Sequence, residues 1–149
     1  MPLLTGAITR SGAVVDALIG VTATRRGLLT RNGFTVPQAV PVRALIDTGA
    51  SISGCSPRIF QLLDIRPVQD ISILTPSTRP DAPHVCGLYR VSWSLVAGGV
   101  PHTFSNSLDV ILADGFHPDE GIDALIGRDI LARCAFQYWG PDGSFHFSF

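Results

Sequence analysis

Charge is scarce in this chain: Asp, Glu, Lys and Arg together make up 15% of its 149 residues. Eleven basic against twelve acidic side chains give a formal net charge of -1, and no basic cluster is denser than Arg25-Arg26. Such a balance disfavours a nucleic-acid partner or an anionic membrane surface. No apolar run is long enough to cross a bilayer. The N-terminus lacks a basic segment followed by a long apolar one, so no signal peptide is expected. Cysteine is limited to Cys55, Cys86 and Cys134, with no CxxC pairing and no zinc-like spacing. These read as buried, reduced thiols in a reducing, cytoplasmic compartment; a fragment processed from a larger precursor is the open alternative. His84, His102, His117 and His146 are scattered without metal-ligand spacing and are expected to be surface or structural residues. No metal or other cofactor is expected.

Hydrophobic residues make up 46% of the chain, which excludes disorder and suits one domain over residues 1–149. Fifteen glycines and eleven prolines break the sequence into short, β-branched runs, an all-β pattern. Strands are expected at 14–21, 40–46, 71–74, 88–96, 107–113 and 122–126. A terminal hairpin is expected from 136–139 and 144–149 around Gly140-Pro141-Asp142-Gly143. Residues 25–38 read as a polar loop, with Asn32-Gly33 as a hairpin-turn signal. Ser56-Pro57 opens a short helix with Ile59, Phe60, Leu62 and Leu63 on its apolar face, and another follows Gly127-Arg128-Asp129. Residues 75–83 hold three prolines and must be a loop or a hairpin tip. In 88–96, Val91, Trp93 and Leu95 alternate with polar neighbours, as in a half-buried strand.

The stretch Ala44-Leu45-Ile46-Asp47-Thr48-Gly49-Ala50-Ser51 is the most informative. An apolar strand delivers a carboxylate into a glycine-containing turn, and a charge at the end of a buried strand is costly without a partner or a role. Gly49 lets other backbone approach closely, and the Thr48 hydroxyl can stiffen the turn. A plain Asx-turn at Asp47 is the bland alternative. Asp-Thr-Gly occurs once, so chemistry needing two carboxylates must draw the second from another copy of the chain.

These residues resemble the active-site signature of retropepsin-like aspartic proteases. A second signature of that family, an apolar strand running into Gly-Arg-Asp/Asn and a short helix, is matched by Asp123-Ala124-Leu125-Ile126-Gly127-Arg128-Asp129-Ile130-Leu131. The resemblance implies an all-β, closed retropepsin-like β-barrel with one or two short helices and a flap hairpin. It implies a homodimer that cleaves an extended peptide or protein substrate, with Asp47 of each subunit as the catalytic carboxylate. Paired carboxylates share one proton, as is established for this class. One activates a water and the other protonates the scissile carbonyl oxygen. Thr48, Gly49 and Ala50 would support the active-site loop. Ala50 lacks the hydroxyl usual there in pepsin-like enzymes, which implies a differently tuned dyad.

By the same resemblance, the flap spans about residues 71–96, with Thr75, Pro76, Ser77 and Thr78 meeting substrate; an ordinary surface loop is the alternative. Arg128 and Asp129 would brace the active-site loop, with Asp64 or Asp123 as partner to Arg128, a solvent-exposed Arg128 being the alternative. The terminal strand bearing Phe145, Phe147 and Phe149 would either pair across a dimer interface or pack into its own core. A peptide-binding or dimerisation module with little turnover is the alternative function.

Overall fold

The structure is a computed structural model that describes residues 1–75, 78–116 and 118–149. Its strands are β1 (Leu3–Ala7), β2 (Val14–Gly20), β3 (Val40–Ile46), β4 (Gly54–Cys55), β5 (Gln69–Ile73), β6 (His84–Ala97), β7 (Val100–Leu112), β8 (Ala124–Ile126), β9 (Ala135–Trp139) and β10 (Ser144–Ser148). Its helices are α1 (Ala23–Arg31), α2 (Pro57–Leu62) and α3 (Arg128–Leu131). Among the described residues no helix is long and apolar enough to cross a membrane.

Six strands close into a barrel in the order β2-β3-β8-β4-β7-β6, with β6 returning to β2. Period-two patterning decides which side chains enter it. Val15, Ala17 and Ile19 of β2, Val42 and Ala44 of β3, and Val91, Trp93 and Leu95 of β6 are all buried, while Asp16, Arg43 and Arg90 point outward. Strand β6 changes partner along its length. Residues 84–88 pair with β5, and residues 92–95 pair with β2. Register irregularities against β7 on either side of Trp93 mark the bend between the two halves. The β5–β6 hairpin therefore projects from the barrel instead of joining its wall. Gly98 and Gly99, at φ 59° and 77°, form the tight turn into β7 that only glycine adopts without strain.

A separate sheet has the order β1-β10-β9. The terminal strand is thus its middle member, with β1 and β9 filling both edges. Phe145 and Phe147 pack into the chain's own core, and both edges of this strand are occupied within the chain. Strand β1 had no clear signal, because its five residues include only a short apolar pair.

The polar stretch expected to be a loop at 25–38 instead begins as helix α1. Thr22 caps it by accepting from the Arg25 N–H at 3.1 Å. Asn32-Gly33 ends it: the Asn32 N–H returns to the Leu28 carbonyl, and Gly33 takes φ 73°. The same dipeptide that suits a hairpin turn also suits a helix stop. No residue of α1 is buried, so no apolar periodicity announced it.

Candidate functional site

Strands β3 and β8 lie side by side and parallel, with Ala44, Leu45 and Ile46 opposite Ala124, Leu125 and Ile126. Parallel pairing in that register brings the two sequence signatures to the same end of the barrel. The Asp47 N–H donates to the Ile126 carbonyl at 2.9 Å, and the Arg128 N–H donates to the Ala50 carbonyl at 2.9 Å. The two loops are in direct contact there. A Cβ added to Gly127 would stand 2.7 Å from the Ile52 carbonyl carbon, a distance that only glycine permits.

Within the first loop, Asp47 Oδ1 accepts the Gly49 N–H at 2.9 Å, and the Asp47 carbonyl accepts the Ala50 N–H at 3.2 Å. The bland Asx-turn is therefore present, and it uses one carboxylate oxygen. Oδ2 has no protein partner among the described residues and Asp47 is half-buried. The carboxylate thus keeps a face for a ligand. Thr48 and Gly49 are exposed.

Arg128 does hold this loop, but neither Asp64 nor Asp123 is its partner. Its Nη1 donates to the carbonyls of Thr48 at 2.9 Å and Gly49 at 3.2 Å. Asp123 is taken by Arg58 at 2.7 Å and by the Ser56 hydroxyl at 3.3 Å. Asp64 receives Arg25 Nη2 on its carbonyl oxygen. A guanidinium with several donors can satisfy main-chain oxygens as well as a carboxylate. Arg128 is exposed and bonded at once.

Asp129 anchors the other side. Its carboxylate accepts from the Ser53 N–H at 3.0 Å, the Ser53 hydroxyl at 2.6 Å and the Ile130 N–H at 2.9 Å. The Ser53 oxygen in turn accepts the Gly127 N–H at 2.9 Å. Ser53 is fully buried, and the sequence reading had passed over it. Its only sequence signal is a small polar residue between Ile52 and the Gly54 that opens β4.

The hairpin expected at 71–96 is present, with β5 from Gln69 pairing with β6 so that Ile73 lies opposite His84. Beyond the strands, the Thr78 hydroxyl accepts the Thr75 N–H at 2.7 Å and donates to the Thr75 carbonyl at 2.9 Å. Pro76 and Ser77, also expected to meet substrate, lie outside the described residues. Between the hairpin and Asp47 is a cleft of about 600 Å³ lined by Asp47, Gly49, Ala50, Ser51, Ile52, Ile73, Leu74, Thr75, Thr78, His84, Ile111 and Asp114, among others. Its walls are mixed, with Ile52, Ile73, Leu74 and Ile111 set beside the polar Asp47, Ser51, Thr75, Thr78, His84 and Asp114. A second hollow of about 560 Å³ adjoins Asp47 and Thr48 on the side of Phe136 and Tyr138. Among the described residues no His/Cys/Asp/Glu group could hold a metal ion.

The three thiols are free. Burial pushes the Cys55 thiol far above its ordinary value, and the nearby Asp123 charge adds to this. Cys86 and Cys134 are also raised, in each case chiefly by burial.

No protein-family model matches the chain, and no curated protein is significantly similar to it. Among solved structures it is similar to a retropepsin-like aspartic protease from Rickettsia conorii, at 15% identity and a TM-score of 0.57, over 99% of this chain and 90% of that one. It is also similar to the Simian Foamy Virus (mac) protease, at 15% identity and a TM-score of 0.46, over 80% and 92% of the two chains. The six-strand ring, the two signature loops joined at its end and the first of these similarities together give this chain the retropepsin-like fold.

Proposed function

We propose that the chain is a single-domain aspartic endopeptidase that works as a homodimer and hydrolyses peptide bonds in an extended substrate. The observation that carries this reading is the Asp47 carboxylate. It sits at the end of a buried strand, with one oxygen anchored in its own turn and the other free, and it faces the cleft beneath a projecting hairpin.

In this reading two copies bring their Asp47 residues together, with the hollow beside Phe136 and Tyr138 turned toward the partner. Two adjacent carboxylates cannot both ionise, and they titrate as one pair. The ionised member takes a proton from a water held between them, and that water attacks the scissile carbonyl carbon. The protonated member gives its proton to the carbonyl oxygen. The member that took the water's proton then passes it to the amide nitrogen, and the C–N bond breaks. A hydroxyl proton of the intermediate returns to the pair as the acid and amine leave. No covalent enzyme intermediate forms, and no metal is needed. Arg128 and Asp129 keep the loops rigid. The β5–β6 hairpin acts as the flap, closing over substrate and excluding water. Main-chain pairing would hold the peptide as an added strand.

The test uses wild type and Asp47→Asn, with mass in solution measured alongside cleavage of a diverse peptide library from acidic to neutral pH. Cleavage by dimeric wild type and none by the variant is the expected result. Peptide binding without turnover would make the chain a binding module. A wild-type monomer that still cleaves would break the two-subunit mechanism.

A further inference from the structure

The cleft's charge is one-sided. Its described lining includes no Arg or Lys, and its titratable members are Asp47, His84 and Asp114. The chain's other carboxylates nearby are engaged: Asp123 by Arg58, Asp109 by Arg90, and Asp129 by Ser53. Asp114 is exposed and has no hydrogen-bond or ion-pair partner among the described residues. The backbone just before it is held. Ala113, just before it, donates its N–H to the Cys55 carbonyl at 2.8 Å, which ties the end of β7 to β4.

Asp114 also lines a neighbouring hollow of about 400 Å³ with Ser56, Pro57, Phe116 and Arg58, whose guanidinium is paired with Asp123. It stands on the ridge between that hollow and the Asp47 cleft. An occupant that extends from the cleft into this hollow meets it. Its charge also bears on Cys86, which lies within the hairpin opposite Ile71. Burial is the main cause of that thiol's upward shift, and the charges of Asp70 and Asp114 add to it.

We propose that Asp114 is a specificity-determining residue that selects a cationic side chain in the bound peptide, so that preferred cleavage sites carry an Arg or Lys next to apolar residues. The inference rests on the protease reading for turnover but not for binding. An exposed carboxylate meeting a cation at a cleft rim changes affinity by about fivefold, less as salt rises. Steering of the positively charged peptide adds to the on-rate.

The probe is a set of decapeptides with an apolar centre, in which Arg, citrulline or Glu is scanned through the flanking positions. Cleavage by wild type is measured together with affinity for Asp47→Asn, at one neutral pH because His84 faces the same cleft. The expected result is about a fivefold preference for Arg over neutral, isosteric citrulline at one or two positions. That preference disappears in Asp114→Asn and turns toward Glu in Asp114→Arg, in both readouts. Cleavage with no charge preference, or a preference unchanged in Asp114→Asn, overturns this inference and leaves the protease reading standing. Arg-selective binding without any turnover does the reverse. Absence of both binding and turnover removes both.

Discussion

At the scale of single residues, the site depends on a few polar atoms with defined partners. Asp47 spends one oxygen on its own turn, so Asp47→Asn keeps the Gly49 N–H bonded and the fold intact. Its cleavage rate is expected to fall by at least about a hundredfold, because the acid–base function is lost. Comparing melting curves with peptide-cleavage rates checks both halves of that statement. Asp129 has the opposite profile. Removing its carboxylate in Asp129→Ala orphans the buried Ser53 N–H and hydroxyl, while the Ile130 N–H keeps the Gly127 carbonyl as acceptor. The expected cost is about 2–4 kcal/mol, read from urea unfolding, as both buried donors lose a charged acceptor. Asp129→Asn should cost less, since it retains an acceptor oxygen.

At the scale of elements, close contact between two loops matters more than either loop alone. Gly127 lies against the Ile52 carbonyl carbon, where an added Cβ would be only 2.7 Å away. Gly127→Ala must push the Asp47 loop and the start of α3 apart. It is expected to destabilise the fold by about 1–3 kcal/mol and to reduce cleavage more than that loss explains, measured at a temperature where the variant stays folded. Helix α1 is the contrasting element. It buries nothing, so removing its cap in Thr22→Ala should cost about 1 kcal/mol or less. Its effect should be confined to faster amide exchange within residues 23–31, with the barrel amides unchanged.

At the scale of the whole molecule, one protonation bears on stability and, on the proposed reading, association bears on activity. The folded state holds the Cys55 thiol well above the ordinary 9.0. Above that pH the unfolded chain loses this proton while the folded chain keeps it. The stabilisation is therefore complete below 9.0 and is lost as pH rises past it, by about 1.4 kcal/mol per pH unit. Urea midpoints measured on either side of 9.0 should show a steeper slope in wild type than in Cys55→Ala, where the raised Cys86 and Cys134 thiols leave the remainder. The second equilibrium, on the proposed two-copy reading, is association. If two copies complete the site, activity per chain must fall on dilution. Tyr138→Glu, which puts charge on the exposed aromatic side of the hollow next to Asp47, should shift the mass in solution toward monomer and lower cleavage in step.

Local pattern decided much of this protein from sequence alone. Alternating apolar residues placed β2, β6 and β10, since period-two burial leaves its mark on neighbouring residues. Turn chemistry at a strand end marked Asp47, and the resemblance to the family's second signature marked Gly127-Arg128-Asp129. Three things belonged to tertiary structure. The partners of Arg128 are main-chain carbonyls about eighty positions away. Ser53 became an anchor only when the chain returned beside it, and the terminal strand became central only when β1 folded back. Each of these is a contact between segments distant along the chain. Their geometry arises from barrel closure, and no local run of residues encodes it.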